Sequence, residues 1–386
     1  MPAERAKLVT LLAVGAGLAV AGLYYNQPML GTLAASLGAS PERIGFIPVA
    51  TQLGYGVGIV LFAPLGDELD RRSVIVVKGA LLAVALVVAG LAQGVWWLSA
   101  ASLAVGLLAT VAQDLVPAAA AIAEPSSRGK TVGTVMTGLL LGILLSRVVS
   151  GAVTEYLSWR AVFFGAAGVM ALFAATAARM LPSFPPTVRA SYGALLRSMA
   201  TLVRDVAPLR RAAMTQGLLS VAFSGFWSTL ALGLAAPPFG LSSVVAGSFG
   251  IAGAAGAVAA PIAGGLSDRR GPRVVIRVGA ALTVIAFGAM AVFGRSLIVL
   301  VGGTILFDLG VQSCLIAHQT IVYAQDPAAR SRLNAVLISA MFLGMSGGAF
   351  AASRVFAGFG FPGVCAMGAV AAGGALALRM LPEADA

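Results

Sequence analysis

The sequence predicts an all-α membrane protein of twelve transmembrane helices, arranged as two six-helix halves related by a pseudo-two-fold axis. Three observations predict it. The first is composition: of 386 residues, 59% are hydrophobic and only 10% are charged. A soluble surface needs roughly 25–35% Lys, Arg, Glu and Asp, so this chain, with a mean hydropathy of +0.96, asks for hydrocarbon as its solvent. The second is a succession of long apolar runs. The third is a set of short strings that recur about 200 residues apart.

The composition excludes an ordinary soluble enzyme, a disordered chain and a nucleic-acid-binding domain with a polar exterior. The net charge of +11 does not reopen the nucleic-acid reading if the basic residues sit in loops on one side of a membrane.

A bilayer core of about 30 Å takes about 20 helical residues per crossing. Breaks placed where charge, Pro and Gly cluster give spans at about 8–30, 44–65, 74–94, 97–121, 131–154 and 160–181 in the first half. The second half gives 212–234, 243–266, 274–294, 297–321, 333–355 and 361–381. Backbone groups in lipid must be bonded within the element, which leaves helix or closed barrel. Runs of this length without alternation exclude the barrel. The first run follows Arg5 and Lys7 as a signal peptide would, but it continues into Tyr24-Tyr25-Asn26-Gln27-Pro28 and many spans follow. It is therefore read as a retained first helix.

The longest polar stretch, 182–211, carries five arginines and four prolines. It divides the chain into an N-terminal half (1–182), a cytoplasmic linker (183–211) and a C-terminal half (212–386). Arg179-Met180-Leu181-Pro182 returns as Arg379-Met380-Leu381-Pro382, a spacing of 200. Asp67 matches Asp268 at 201, and Arg128-x-Lys130 matches Arg330-x-Arg332 at 202. Gly142 and Gly344 each follow that last pair's first arginine by 14 residues. Matches in order at nearly one offset point to duplication. An even number of spans per half gives parallel repeats.

With the N-terminus in the cytoplasm, 20 of the 25 basic residues fall on the cytoplasmic side, the others being Arg43, Arg147, Arg160, Arg295 and Arg354. The bias predicts cytoplasmic termini in a bacterial inner membrane.

The loop after the eighth span reads Gly264-Gly265-Leu266-Ser267-Asp268-Arg269-Arg270-Gly271-Pro272-Arg273, and the loop after the second reads Gly66-Asp67-Glu68-Leu69-Asp70-Arg71-Arg72. Here the chain resembles the major facilitator superfamily of secondary transporters. The second loop carries Gly264, Asp268, Arg269, Gly271 and Arg273 of the family's signature. The first departs from it and keeps Asp67, Arg71 and Arg72. Further strings are similar to a bacterial branch near the drug and metabolite efflux members: Tyr24–Pro28, Gln52-Leu53-Gly54-Tyr55, the run from Gly138 to Arg147, and Phe223–Trp227. The resemblance implies that the two loops gate the halves. The plainer alternative is that they anchor short turns at the lipid headgroups. A carboxylate beside a helix N-terminus is favoured by the helix dipole, and a neighbouring arginine can latch it.

Gly138 and Gly142 have the small-xxx-small spacing of close helix packing. The resemblance associates a glycine motif on this span with export. That motif usually includes a Gly-Pro pair, which is absent here. The exporters' arginine in span four is absent too.

Charge inside a span is costly and marks function by default. Asp308 lies near the middle of span ten with Gln312 one turn on. Asp114 lies in span four beside Gln113, and Arg147 in span five. Asp308 reads either as a coupling or substrate group or as half of a structural pair. Asp114 reads equally as a structural pair or a cap. Arg147 reads as an anion ligand or a carboxylate's partner. Tyr25, Asn26, Gln27, Gln52, Gln216 and Trp227 are placed to ring an apolar cavity with a few polar contacts. The alternative for Asn26-Gln27-Pro28 is a helix-ending kink whose amides satisfy freed backbone groups. His318, four residues after Cys314, offers too few ligands for a metal site, and no ATP-binding loop is present.

The expectation is a transporter and not an enzyme, with no cofactor and no metal. Its partners are a small-molecule substrate, protons and the lipid bilayer, with no nucleic acid, and it is expected as a monomer. Proton-coupled efflux is the leading function. Uptake or facilitated diffusion by the same fold is the alternative, and a membrane-embedded enzyme or receptor a remote one.

Overall fold

The computed structural model describes residues 2–62, 64–124, 127–185, 192–253, 265–267, 269–326 and 329–381. All regular structure among them is helical. In the first half the helices are α1 (Pro2–Ala21), α2 (Leu30–Leu37), α3 (Pro41–Ile44), α4 (Phe46–Phe62), α5 (Leu65–Glu68) and α6 (Arg71–Gly90). There follow α7 (Val95–Ala109), α8 (Val111–Ile122), α9 (Arg128–Tyr156) and α10 (Trp159–Met180). A surface helix, α11 (Tyr192–Asp205), precedes α12 (Ala207–Ala235), α13 (Ser243–Gly253), α14 (Pro272–Phe293), α15 (Leu297–Tyr323) and α16 (Arg330–Met380).

Nine of the described helices are long and apolar enough to cross a membrane. One of them, α16, is 51 residues long and is two helices joined across Gly360, whose φ of 64° and ψ of −166° lie outside the helical region. That conformation is essentially reserved for glycine, and Pro362 follows at once, so the chain turns there. The break falls between the spans expected at 333–355 and 361–381. The first span, expected as one helix over 8–30, is instead interrupted. After Ala21 the bonds tighten to Gly22 N–Ala19 O, Leu23 N–Val20 O and Tyr24 N–Ala21 O. Pro28, which has no N–H to give, closes the irregular stretch before α2. The fourth span is α7 and α8 joined at Thr110. The eighth is α13, and its expected continuation over 254–264 lies outside the described residues. A twelve-helix bundle is consistent with this order.

Most buried apolar side chains form one large core in each half, and a smaller cluster around Leu209, Val322 and Leu333 lies in the second half. The first core also takes in Leu232, Ala335, Ile338, Phe342 and Met345 from across the seam. Within each half the same close approach occurs. A methyl built on Gly142 of α9 would lie 2.2 Å from the Gly17 carbonyl oxygen of α1, and one on Gly344 of α16 would lie 2.3 Å from that of Gly217 on α12. The glycine pair singled out by its repeat spacing therefore lets backbones touch in equivalent places.

Both termini lie at one end of the bundle. There Arg5 pairs with Glu124, Tyr192 Oη donates to the Leu61 carbonyl at 2.8 Å, and Arg211 donates to Leu378 O at 2.8 Å. The halves meet toward the opposite end. Glycines at 151 and 247 bring α9 and α13 together, each so close that an added methyl would lie 2.5 Å from a carbonyl oxygen of the other helix. Ser243 Oγ donates to Glu155 Oε2 at 2.8 Å, and Ser346 Oγ to Val49 O at 3.1 Å. Over the terminal-end portion of α9, residues 128–145, only Thr131 and Val135 are buried. The seam is thus tight at the far end, and the terminal-end portion of α9 is largely exposed among the described residues.

Candidate functional site

The charged centre lies on this seam. Arg147 comes from α9 in the first half and Asp308 from α15 in the second, and they are 3% and 4% exposed. Gly250 of α13 makes room for the arginine: a methyl there would lie 3.1 Å from Arg147 Cβ. Arg147 Nε donates to Gln27 Oε1 at 2.9 Å. Its guanidinium lies 4.1 Å from the Trp227 ring centroid and 4.5 Å from that of Tyr24. Such contacts are worth about 2 kcal/mol each when water is excluded, and they hold a cation where lipid and protein would otherwise reject it. Trp227 packs in turn within an aromatic cluster of Phe223, Phe226, Phe287 and Phe307.

Asp308 lies near the same indole. A methyl on Gly253 would touch both, at 3.0 Å from Trp227 Cζ2 and 3.2 Å from Asp308 Oδ2. The Trp227 N–H is the neighbouring donor, but the bond is not closed in hydrogen-bond geometry. Arg147 and Asp308 are within electrostatic reach of each other. Yet no ion pair within 4.0 Å joins them. Arg147 Nη2, Gln27 Nε2 and Asp308 Oδ1 are buried without partners. The crevice beside Arg147 and Gln27, bounded by Pro28, Leu230, Ala231 and Ala246, is too narrow for a water molecule.

Other predicted polar residues form links around this centre. Asn26 Nδ2 donates to Thr51 Oγ1 at 2.9 Å. With Gln27 bonded to Arg147, both amides of the Asn26-Gln27-Pro28 string reach neighbouring helices; neither caps the freed backbone. Gln52 Oε1 accepts from Ser224 Oγ of α12 at 2.8 Å, which ties the halves. Gln113 Nε2 donates to Tyr55 Oη at 2.9 Å, and Tyr55 packs on Phe342 with ring centroids 4.4 Å apart. Gln216 is away from the charged pair and meets His318 Nδ1 at 3.0 Å. Tyr25 is buried in the first core, and Gln312 is half-buried on α15.

Asp114 belongs to a different place. Its Oδ2 accepts from Lys78 Nζ at 2.6 Å, with both side chains buried. A methyl on Gly66 would lie 2.9 Å from Asp114 Oδ1 and 3.4 Å from Arg71 Nε, so the pair sits directly beneath the loop after the second span. In that loop Asp70 caps α6 through Arg72 N at 3.2 Å and accepts from Phe184 N at 2.7 Å. Its partial burial works against the charge, but these N–H bonds and the Ser73 hydroxyl hold its carboxyl below the usual carboxylate range. Arg72 donates to Ala178 O on α10. The loop is therefore fastened to the end of the sixth span. The Asp67 side chain, Gly264 and Asp268 lie outside the described residues. Arg269 and Arg273 are exposed, and Gly271 takes a φ of 83° ahead of α14. Gly138 serves packing, against Ala13 O of α1.

Lys78, Tyr24, Tyr55 and Gly253 are part of these sites and were not singled out from the sequence. Lys78 stands inside an apolar span, but so near its start that it reads as a loop charge. Gly253 had no signal, because only the fold brings it to Trp227 and Asp308.

Residues 12–323 match the Major Facilitator Superfamily. The chain is 39% identical over 365 residues to the uncharacterized transporter YgaY of Escherichia coli O157:H7, covering 95% of this chain and 93% of that one. A Streptomyces coelicolor protein described as a transporter is 32% identical over 362 residues, covering 92% and 83%. Among solved structures, a mutant of the nucleoside transporter NupG superposes with a TM-score of 0.77 at 14% identity, covering 96% of this chain and 98% of that one. The duplicated helix order, the seam and these matches agree: the chain is a membrane transporter of the major facilitator superfamily.

Proposed function

We propose that the protein is a secondary active transporter that exports a small drug-like or metabolite molecule across the bacterial inner membrane in exchange for protons. The observation that carries this reading is the pair of unjoined opposite charges, Arg147 and Asp308, contributed by the two halves and buried at their seam. A carboxylate held there without an ion-pair partner can take up or release a proton each time the seam opens to one side. The groups facing it are Arg147 from α9, Trp227 from α12 and Tyr24 from the irregular stretch after α1. Rocking of two halves about such a site is alternating access. The tight packing of α9 and α13 at the far end fits a state facing the terminal end. With 20 of 25 basic residues toward that end, it is assigned to the cytoplasm. Asp70, Arg72 and the buried Lys78–Asp114 pair fasten the first loop to its own half, so that the half moves as a unit. Export, in preference to uptake, rests on the resemblance to the efflux branch.

The test uses inverted membrane vesicles from an overproducing strain, acidified by respiration and loaded with a pH-quenched dye. Compounds are then added one at a time from a panel of drugs, dyes and metabolites. A transported compound releases protons and restores fluorescence, and Asp308→Asn abolishes the recovery. Recovery that survives Asp308→Asn would overturn the coupling role. Absence of any recovery, with gradient-independent uptake in intact cells, would favour a uniporter.

A further inference from the structure

We infer that the substrate is a small zwitterion, its anionic group taken by Arg147 and its ammonium by Asp308. This rests on the reading of the seam as the transport site and names the chemistry that site selects. The unpartnered buried atoms at the centre are of both kinds: Arg147 Nη2, Gln27 Nε2 and Trp227 Nε1 are donors, and Asp308 Oδ1 and Asn26 Oδ1 are acceptors. All five residues are no more than 4% exposed. A buried polar group left without a partner is costly, so these groups are a standing demand for a ligand that carries both kinds of partner.

Single-charge ligands fail that demand. A carboxylate alone would satisfy Arg147 and bring a second negative charge toward Asp308. An amine alone would satisfy Asp308 and crowd Arg147. A neutral apolar compound would leave both charges buried and unanswered. A net-neutral molecule with two poles answers both at once. The arginine is also prepared for an edge-on carboxylate. The rings of Tyr24 and Trp227 lie against the guanidinium at 4.5 and 4.1 Å, and Gln27 holds Nε. This leaves Nη2 as the free donor on its edge, the side from which carboxylates bind arginine. In this state the crevice by Leu230, Ala231 and Ala246 is too narrow even for water, so a ligand reaches these groups as the seam opens.

The same arrangement explains exchange. Proton and ammonium compete for one carboxylate, so Asp308 releases one on binding the other. No further residue is needed to couple them.

The test is ligand-dependent melting of the purified protein in detergent. The probes are leucine, 6-aminohexanoate, leucinamide and N-acetylleucine: two zwitterions of different span, one cation and one anion. At millimolar concentration at least one zwitterion raises the melting temperature, and neither single-charge analogue does. Gln27→Ala weakens that effect about tenfold in apparent affinity, and Arg147→Gln and Asp308→Asn abolish it. Protection by leucinamide or N-acetylleucine equal to the zwitterions overturns the inference, and so does absence of protection by both zwitterions. The ligand comparison is made on the unaltered protein, so a variant that fails to fold does not shield the idea. Melting needs no gradient. If the zwitterions fail here while the dye assay still responds to other compounds through Asp308, the substrate class is wrong and the transport reading stands.

Discussion

Lys78 and Asp114 show what one residue contributes. Two opposite charges are buried 2.6 Å apart beneath the first loop, in a place where neither alone would be tolerated. Removing one partner of a buried pair costs about 3–5 kcal/mol. Asp114 keeps a further interaction of its own, so Lys78→Met is expected at the low end, about 3 kcal/mol. The expected signature is non-additivity. Lys78→Met and Asp114→Asn each lower the melting temperature of the detergent-solubilised protein, and the double variant falls little further. A coupling of about 1–3 kcal/mol is the range for residues in contact; additive losses would show that the pair does not act as a unit. The sequence made Asp114 visible, because acid in an apolar run is rare. It hid Lys78, which stands near enough to the end of its span to read as a loop charge. What separates the two readings is burial by α8, a tertiary fact. The same limit applies at the centre. Arg147, Asp308 and Trp227 stood out in their spans, but Tyr24, whose ring also lodges the arginine, was not among the cavity candidates.

Helices expose a different limit. The repeat that links Gly142 to Gly344 was legible because it came with neighbouring matches in order. Their partners were not. Gly17 and Gly217 are also 200 apart, but among 48 glycines one more coincidence carries no signal. The structure shows why the pairs matter: each glycine faces the backbone of the adjoining helix, not a side chain that could swing away. Gly142→Ala must therefore push α9 from α1, and Gly344→Ala must push α16 from α12. Overpacking of this kind costs about 1–3 kcal/mol. The two variants are expected to lose similar stability, read as a drop in melting temperature. Gly133→Ala, where an added methyl meets nothing within 4 Å, loses none. A large difference between Gly142→Ala and Gly344→Ala would mean that the halves do not share this packing. Span one carried the opposite lesson. Its apolar run read as continuous helix, yet the stretch around Tyr24–Pro28 leaves the helix, and that irregularity aims Asn26 and Gln27 at other elements.

At the scale of the whole molecule, transport turns on which end of the seam opens. The far end is closed by small residues and short polar links between halves: Ser243 to Glu155 and Ser346 to Val49. Neither is an ion pair or a large apolar interface, so each can be broken and remade at low cost, as a cycling gate requires. Alternating access demands that this end part once per cycle. Glu155→Cys with Ser243→Cys places two thiols across it, one on α9 and one on α13. The native Cys314 and Cys365 are both fully buried, so a cleavable bifunctional thiol reagent finds the introduced pair first. The bridged protein is expected to lose gradient-driven transport. The unbridged double variant keeps it, because the Glu155–Ser243 link lies at the rim and away from Arg147 and Asp308. Cleaving the bridge with a reductant restores it. Transport that continues through an intact bridge would mean that the far end stays shut throughout the cycle. The two halves would then not rock about Arg147 and Asp308, and those charges would have to serve the stability of the seam instead of passage across it.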